Sequence, residues 1–248
     1  MTPLIEIEAL SKTFGRLSAV REVSFTVRRG EVLGFLGPNG AGKSTTMKMI
    51  TGFLEPSGGR ARVAGEDVVT RPLSARRRLG YLPEGAPLYG DMTPAGLLRF
   101  VAEVRGMAPA RWRERRDWVV GRLDLAEVWH RPIDTLSKGF KRRVGLAQAI
   151  LHDPEVLILD EPTDGLDPNQ KHEVRTLLAE MAADKAIVVS THILEEVDAV
   201  CSRAIVIARG RIVADGLPKV LFAAARPDEV FRRLTLGTPA RGEVAADA

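Results

Sequence analysis

Residues 31–45 read EVLGFLGPNGAGKST, and more of the architecture follows from this stretch than from any other. A short apolar run, typical of a buried strand, leads into Gly37–Ser44, which matches the pattern G-x-x-x-x-G-K-[ST] at every position. Such glycines let backbone amides point at phosphate oxygens, while Lys43 reaches the terminal phosphates and Ser44 offers its hydroxyl to Mg²⁺. The next residues predict a helix whose N-terminus faces the same anion. The loop therefore predicts a nucleotide site rather than a glycine-rich turn beside an exposed lysine.

Strand-like and helix-like runs alternate along the rest of the chain. The first third contains short β-rich runs separated by glycines at turn positions. Helical patterns follow from Thr93, with Pro94 at the first helical position and Gly106 past the end, so roughly residues 85–150 are expected to form a helical insert. The apolar runs EVLILD, AIVVS and AIVIAR then alternate with helical stretches. The pattern predicts an α/β fold with a mostly parallel sheet covered on both faces.

The composition limits the remaining possibilities. The chain has 248 residues, of which 45% are hydrophobic and 27% charged, and its net charge is +4. This balance permits contact with nucleic acid or a membrane surface but argues for neither. The single cysteine, Cys201, excludes a disulfide framework and a cysteine-rich metal site. No apolar run approaches the ~18 residues of a membrane span, and the N-terminus has no export-signal pattern, so we expect a cytoplasmic protein.

Two acidic residues and a histidine follow predicted strands. Asp160 ends the run EVLILD at the sheet edge where α/β proteins bind ligands, and a carboxylate there suits Mg²⁺. The adjacent Glu161 is expected to polarise a water for attack on a γ-phosphate, and His192 follows the next strand at the same edge. Each has a simpler interpretation in isolation, as a helix-capping acid or a packed histidine. Together with the phosphate loop, they predict nucleotide chemistry.

The stretch DTLSKGFKRRVG, residues 134–145, predicts a second anion site. Ser137 stands at a helix N-cap and Gly139 allows close approach, so the helix would present a hydroxyl and its N-terminal dipole. Taken alone, the stretch also fits an ordinary capped helix with solvated basic residues. The arginine clusters at residues 76–78 and 111–116 are likewise expected on solvated faces.

These motifs, in this order, resemble the nucleotide-binding subunit of an ATP-binding-cassette (ABC) transporter over residues 4–235. The most specific element is LSKGF before VLILDE, followed by GLD and then the histidine. The resemblance implies a P-loop nucleotide-hydrolase (RecA-like) core, an N-terminal antiparallel β subdomain and a helical subdomain. One ATPase domain would span residues 1–235, and residues 236–248 would form a flexible tail.

The resemblance also implies ATP and Mg²⁺ as ligands and assigns roles to the site residues. Phe14 would stack on adenine, and Asp167 would bridge two subunits. Glu161 would be the catalytic base and His192 the sensor of the γ-phosphate, with Ser44, Glu84 and Asp160 as magnesium ligands. The Walker A loop would comprise Gly37, Pro38, Asn39, Gly40, Ala41, Gly42, Lys43, Ser44 and Thr45.

Three residues depart from the commonest pattern of that family. Glu84 stands where a glutamine is usual, which keeps an oxygen for Mg²⁺ but adds a charge. Lys138 and Phe140 replace the second glycine and the glutamine of LSGGQ, while Ser137 and Gly139 remain. With GYLPEGAPLYGDMT and DEVFRRLT, the stretch LSKGF resembles an export-type branch that includes gliding-motility and drug or copper-processing exporters.

Partners are implied in the same way. A separate membrane-embedded permease would hold the chain at the inner face of the cell membrane, through the helical insert and the Glu84 loop. A second nucleotide-binding subunit, most simply another copy, would pair head to tail, so that Ser137 and Gly139 of one subunit close over the γ-phosphate held by Lys43 of another. No nucleic acid is expected. The alternatives are a soluble ATPase of the same family acting on nucleic acid or ribosomes and, less favoured, a P-loop small-molecule kinase.

Overall fold

The structure is a computed structural model that describes residues 2–222 and 227–236. The strands in these ranges are β1 Ile5–Phe14, β2 Leu17–Val27, β3 Val32–Leu36, β4 Gly58–Val63, β5 Glu66–Asp67, β6 Leu79–Leu82, β7 Val156–Asp160, β8 Ala186–Thr191, β9 Arg203–Ala208 and β10 Arg211–Gly216. The helices are α1 Lys43–Ile50, α2 Pro72–Arg77, α3 Pro94–Val104, α4 Pro109–Arg122, α5 Lys138–Ile150, α6 Pro168–Ala182, α7 Leu194–Val200, α8 Pro218–Leu221 and α9 Pro227–Leu236.

The central sheet has six strands in the order β10-β9-β3-β8-β7-β6. The pairings among β9, β3, β8, β7 and β6 are parallel, and β10 alone in this sheet runs antiparallel to its neighbour. Every residue of β3, β7 and β8 is buried, as expected for apolar strands covered on both faces. The predicted α/β fold is confirmed, and the carboxyl ends of these three strands lie side by side at one edge.

A second sheet, antiparallel and four-stranded, has the order β2-β1-β4-β5. Its inward-facing residues form one core with α1 and one face of the central sheet; Leu10, Met47 and Ile158 are fully or almost fully buried members of that core. The predicted N-terminal antiparallel β subdomain is therefore also present. It lies beside α1, the helix that follows the phosphate loop.

The helices α3, α4 and α5 occupy residues 94–150, between β6 and β7 in the chain. Pro94 is the first residue of α3, and the Thr93 hydroxyl accepts a hydrogen bond from the Gly96 amide at 3.1 Å, as predicted from the capping pattern. The three helices bury residues such as Leu97, Val119 and Val144 in a core shared with the other face of the central sheet. The Ser137 turn, at the start of α5, therefore belongs to this helical part of the chain.

The expectation for the arginine cluster at residues 111–116 is wrong for Arg115. Its guanidinium is buried and donates hydrogen bonds to Ile150 O at 2.9 Å and Leu151 O at 3.0 Å, at the end of α5. The last carbonyls of a helix have no partner within the helix, so a buried arginine from α4 supplies one. Helical periodicity turns this one arginine inward, whereas residues 76–78 are exposed as expected.

Two further predictions concern a C-terminal tail and the lack of a membrane-spanning segment. Of the tail predicted over residues 236–248, only Leu236, the last residue of α9, is described, and residues 237–248 lie outside the described residues. None of the helices found in residues 2–222 and 227–236 has the length and apolar character that spanning a bilayer requires.

Candidate functional site

The phosphate loop connects the end of β3 to the start of α1. Gly40 and Gly42 have φ angles of +79° and +109°, a backbone region that suits glycine. A Cβ atom on Gly42 would lie 2.7 Å from Ala19 O, and one on Gly37 would lie 2.4 Å from Ile207 O. Both glycines are therefore required because the loop packs closely against β9 and β2. No side chain of the described residues caps the N-terminus of α1, so its first amides face the loop interior.

Lys43 is the cationic centre of this loop. Only 6% of the residue is exposed, and its Nζ donates hydrogen bonds to Gly37 O at 2.6 Å and Pro38 O at 3.3 Å. Burial lowers the pKa of Lys43, and the charges of Glu161, Asp160 and Glu84 act in the opposite direction. The structure thus brings the loop lysine within electrostatic reach of three carboxylates that were predicted from two other motifs.

Asp160, at the end of β7, has one carboxylate oxygen bonded and one without a partner. Its Oδ1 accepts a hydrogen bond from Ser190 Oγ, on the neighbouring strand β8. Its Oδ2 is buried and has no hydrogen-bond partner among the described residues. A buried carboxylate oxygen normally has a partner, and a divalent cation would supply one.

The other predicted magnesium ligands support that interpretation. Ser44 Oγ donates to Glu84 Oε2 at 3.4 Å, so these two oxygens lie together at the start of α1. Within the described part of the chain, no group of three or more His, Cys, Asp or Glu residues is arranged to hold a metal. A hydroxyl and two carboxylates fit Mg²⁺ when nucleotide phosphates and water complete the coordination, as is usual for this ion.

Glu161 occupies an unusual backbone position directly after β7. Its φ is +51°, in the left-handed region that non-glycine residues rarely adopt, and its amide donates to Ser190 O at 3.0 Å. The side chain is 14% exposed, and its Oε1 lies 2.9 Å from Nδ1 of His192. Desolvation raises the pKa of Glu161, against the opposing influence of His192 and Lys43. The turn therefore places a poorly solvated carboxylate beside the phosphate loop and fixes it to the histidine.

Three predicted site residues lie apart from the loop. The Ser137 hydroxyl accepts a hydrogen bond from Phe140 N at 3.3 Å and so caps α5, while Asp167 caps α6 by accepting from Gln170 N at 3.0 Å. Gly139 is buried against this second helix. No hydrogen bond or ion pair in the described residues joins any of these three to residues 37–45.

Phe14, the residue predicted to stack on adenine, lies on the antiparallel sheet. It is the last residue of β1 and is 47% exposed, with the Lys12 ammonium 5.3 Å from the ring centroid. A large aromatic ring with this exposure is available for stacking on a flat ligand.

Arg142 is a site residue that the sequence pattern did not reveal. Solvated basic residues after Ser137 belonged to the alternative interpretation of this stretch, and the Arg142 side chain is in fact only 3% exposed. One of its nitrogens donates to Pro83 O at 3.3 Å and lies 3.5 Å from Asp160 O, and another lies 3.5 Å from Asp164 Oδ2. It therefore connects α5 with the loop before Glu84 and with the turn after β7. The sequence does not distinguish Arg142 from the other basic residues of this stretch, although the helical period places its side chain inward.

A groove of about 680 Å³ lies beside Glu84. Its exposed apolar side chains come from the loop after β6, from α3 and from the segment after α1, and they include Tyr89, Phe100 and Val104, which are 59%, 47% and 70% exposed. The rings of Tyr89 and Phe100 meet edge to face, with centroids 6.5 Å apart. The groove thus presents a structured apolar surface next to a predicted magnesium ligand.

The sequence matches known proteins over most of its length. Residues 20–164 match the family model described as ABC transporter. The chain is 38% identical over 227 residues to "Probable multidrug ABC transporter ATP-binding protein YbhF" of Escherichia coli (strain K12), which covers 91% of this chain and 39% of that protein. It is 37% identical over 221 residues to "Nod factor export ATP-binding protein I" of Ralstonia nicotianae, which covers 89% of this chain and 69% of that protein. The chain therefore spans well under half of the Escherichia coli relative.

Solved structures show the same architecture. The protein described as "Structure of ATP binding subunit of ABC transporter" superposes with a TM-score of 0.87 at 32% identity, covering 93% of this chain and 99% of that one. The cbiO1 protein of Clostridium perfringens, described as part of the ABC transporter complex cbiONQ, gives a TM-score of 0.79 at 30% identity, with coverages of 96% and 97%. From the matched family model, these relatives and the geometry of the phosphate loop, we conclude that the chain belongs to the ABC transporter family and contains its ATPase domain.

Proposed function

We propose that this chain is the ATP-hydrolysing subunit of an ABC transporter that drives substrate movement, in the export direction, through a separate membrane-embedded permease. One observation carries the proposal: Asp160, Glu161 and His192 stand at neighbouring strand ends around the Lys43 loop. The relatives named for multidrug transport and for Nod factor export favour export. The pairing with a permease is favoured by the cbiO1 relative, described as part of a transporter complex.

The residues of the loop would act mainly by neutralising charge. Phosphoryl transfer needs positioning and electrostatic stabilisation more than covalent chemistry. Lys43 and the amides at the start of α1 would hold the β- and γ-phosphates, since the ammonium already lies among the loop carbonyls. Ser44, Asp160 and Glu84 would hold Mg²⁺, which supplies further neutralisation of phosphate charge when bound.

Glu161 would orient the attacking water and accept its proton. Its raised pKa makes the carboxylate a better base than an ordinary glutamate, because the stronger base takes a proton more readily. Nδ1 of His192 holds Oε1 of Glu161 and the side chain is 57% exposed, so the other ring nitrogen, Nε2, would bind the γ-phosphate. Phe14 would support the adenine ring by stacking.

Two copies would complete each site. Ser137 and Gly139 make no hydrogen bond to their own phosphate loop in the described residues, yet they form a capped helix start suited to an anion. We therefore assign them to the γ-phosphate held by a second subunit in a head-to-tail pair, with Asp167 near the contact between subunits. The groove beside Glu84 would receive the permease at the inner face of the membrane, because it lies next to the residues that would hold Mg²⁺.

The decisive experiment is the substitution Glu161→Gln. The amide keeps the shape of the side chain but is not a base, so we expect ATP hydrolysis to slow by on the order of 10²–10⁴ while the affinity for ATP is unchanged. Steady-state phosphate release and equilibrium binding of ATP, measured on the purified full chain, test both parts. Unchanged hydrolysis in this variant would remove Glu161 from the mechanism. Loss of ATP binding would contradict the proposal that Glu161 acts in hydrolysis and not in binding.

A further inference from the structure

Glu196 is a buried acid for which the proposed mechanism has no use. It lies in α7 and is 5% exposed; Asp160 and Glu196 are the two carboxylates buried to this degree in the described residues. Its neighbour Glu195 is exposed on the same helix. Burying an ionised carboxylate is costly unless it is paired and hydrogen-bonded, so the partners of Glu196 explain why it is tolerated.

Both oxygens of Glu196 accept hydrogen bonds from buried threonines. Oε1 accepts from Thr163 Oγ1, and Oε2 accepts from Thr191 Oγ1 at 2.9 Å. The ammonium of Lys171, on α6, lies 3.4 Å from Oε1 and balances the charge. Thr163 and Thr191 are 4% and 0% exposed. One carboxylate therefore joins two hydroxyls that belong to separate segments of the chain.

These two segments carry the two residues that would act on water and phosphate. Thr163 is two residues after Glu161, and Thr191 is directly before His192. The Thr191 hydroxyl also accepts a hydrogen bond from Ile193 N at 3.1 Å, so the residues on both sides of His192 are tied together. Glu161 Oε1 and His192 Nδ1 lie 2.9 Å apart, so these two segments are joined both by this contact and by Glu196.

We propose that Glu196 is a positioning residue that holds the turn of Glu161 and the turn of His192 at the separation their hydrogen bond requires. This proposal rests on the proposed function, because it acts through Glu161. Catalytic groups are sensitive to small displacements, and a hydrogen bond 2.9 Å long between two loops does not by itself fix the loops. The buried carboxylate bonds a side chain of each segment, and in the described residues it makes no hydrogen bond to residues 37–45.

The test compares Glu196→Ala and Glu196→Gln with Glu195→Gln as the matched control on the same helix. We expect Glu196→Ala to lower kcat by on the order of 10–100-fold, as misplaced catalytic groups do, with the KM for ATP changed less than about twofold. Glu196→Gln keeps one acceptor oxygen and is expected to recover part of the loss, while Glu195→Gln keeps the kcat of the unaltered chain. Rates are expressed per nucleotide-binding site, so that unfolded protein in the sample does not lower the apparent kcat.

The threonines keep the proposal testable if Glu196→Ala does not fold. Thr163→Val and Thr191→Val preserve side-chain volume and remove one hydroxyl each, so each is expected to lower kcat. When Glu196 is glutamine, only one acceptor oxygen remains, so at least one of the two valine substitutions should then have a smaller effect. If these variants and Glu196→Gln melt at lower temperature but turn over at the unaltered rate per site, the residue is only structural and the proposal is wrong. A loss of kcat that persists undiminished when Glu161→Gln is already present would also overturn it, because the residue would then act elsewhere.

Failure of this proposal and failure of the proposed function have different signatures. If Glu161→Gln abolishes hydrolysis while Glu196→Gln and both valine variants keep the unaltered kcat, the ATPase mechanism stands and the positioning role is overturned. If Glu161→Gln itself hydrolyses ATP at the unaltered rate, the mechanism falls, and the role of Glu196 falls with it.

Discussion

Glu84 changes the charge of the candidate magnesium site and keeps an oxygen ligand in the same place as the usual glutamine. The carboxylate lies 3.4 Å from Ser44 Oγ, and its charge is among those that act on Lys43. A glutamine, the residue usual in the family, would offer the same carbonyl-type oxygen with no charge. The site in this chain therefore holds one more negative charge close to where Mg²⁺ would bind.

We expect Glu84→Gln to lower the affinity of the site for Mg²⁺. Because a charged oxygen attracts a divalent cation more strongly than an amide oxygen, the Mg²⁺ concentration for half-maximal hydrolysis should rise roughly threefold to tenfold. A titration of phosphate release with MgCl₂ at fixed ATP measures this, and Glu127→Gln, at an exposed position on the helical subdomain, is the control. An unchanged Mg²⁺ dependence would exclude Glu84 from the magnesium ligands.

Single residues differ in how far the sequence could predict them. Asp160 and His192 were predictable, because each follows an apolar run and parallel strands end at one sheet edge. Glu196 was not, since its link to Thr163 depends on how α7 packs against the sheet. Arg115 was expected in solvent, and the burial of Arg142 was not predicted, because an arginine in a helical pattern can face either solvent or the core.

Among the elements, the start of α5 accounts for both departures from the usual LSGGQ pattern. Lys138 Nζ lies 2.9 Å from Asp164 Oδ2, in the loop after β7, and the guanidinium of Arg143 lies 4.1 Å from the centroid of the Phe140 ring. The lysine thus ties α5 to the loop that leads to Asp167, and the aromatic ring covers a buried arginine. The start of this helix was predictable from the sequence. The ion pair between Lys138 and Asp164 was not, because it depends on how the loop after β7 packs against α5.

The groove between α3 and the loop after β6 is the second element with a consequence for function. We expect Phe100→Glu to prevent a coexpressed permease, taken from a neighbouring gene, from co-purifying with this chain, because a charge in an apolar contact surface costs binding free energy. ATP binding should be unaffected, since Phe100 does not line the phosphate loop.

Leu73→Glu provides the comparison for the groove. Leu73 is also an exposed apolar residue, but it lies on α2 outside the groove. The permease should therefore still co-purify with Leu73→Glu. If both variants retain the permease equally, the groove is not where it docks.

At the level of the whole molecule, the Ser137 helix start makes no hydrogen bond or ion pair with residues 37–45 of its own chain within the described residues. Ser137 is exposed and caps a helix of the helical subdomain, whereas Lys43 is buried within the phosphate loop. We expect Ser137→Arg to leave the ATP affinity of the monomer nearly unchanged and to abolish ATP-driven dimerisation and hydrolysis. Sedimentation with ATP, in the background of Glu161→Gln to prevent turnover, measures the dimer.

Two further variants separate dimerisation from loss of the helix cap, which costs about 1 kcal/mol when the hydroxyl is removed. Ser137→Asp keeps a capping oxygen but places a negative charge where the γ-phosphate of the other copy would lie, so it too should remain monomeric. Ser74→Arg, at an exposed position on α2, should dimerise normally. A Ser137→Arg chain that still dimerises with ATP would contradict the head-to-tail arrangement.

The contacts of Lys43 with its own loop have a consequence for nucleotide affinity. Its ammonium donates to Gly37 O and Pro38 O, so an arriving phosphate meets a cation with two of its three N–H donors already bonded. Binding is then an exchange, in which carbonyl partners are given up for phosphate oxygens and the two carbonyls must find other donors. The affinity for ATP reports the difference between two sets of bonds, and the number of contacts in the bound state would overstate it.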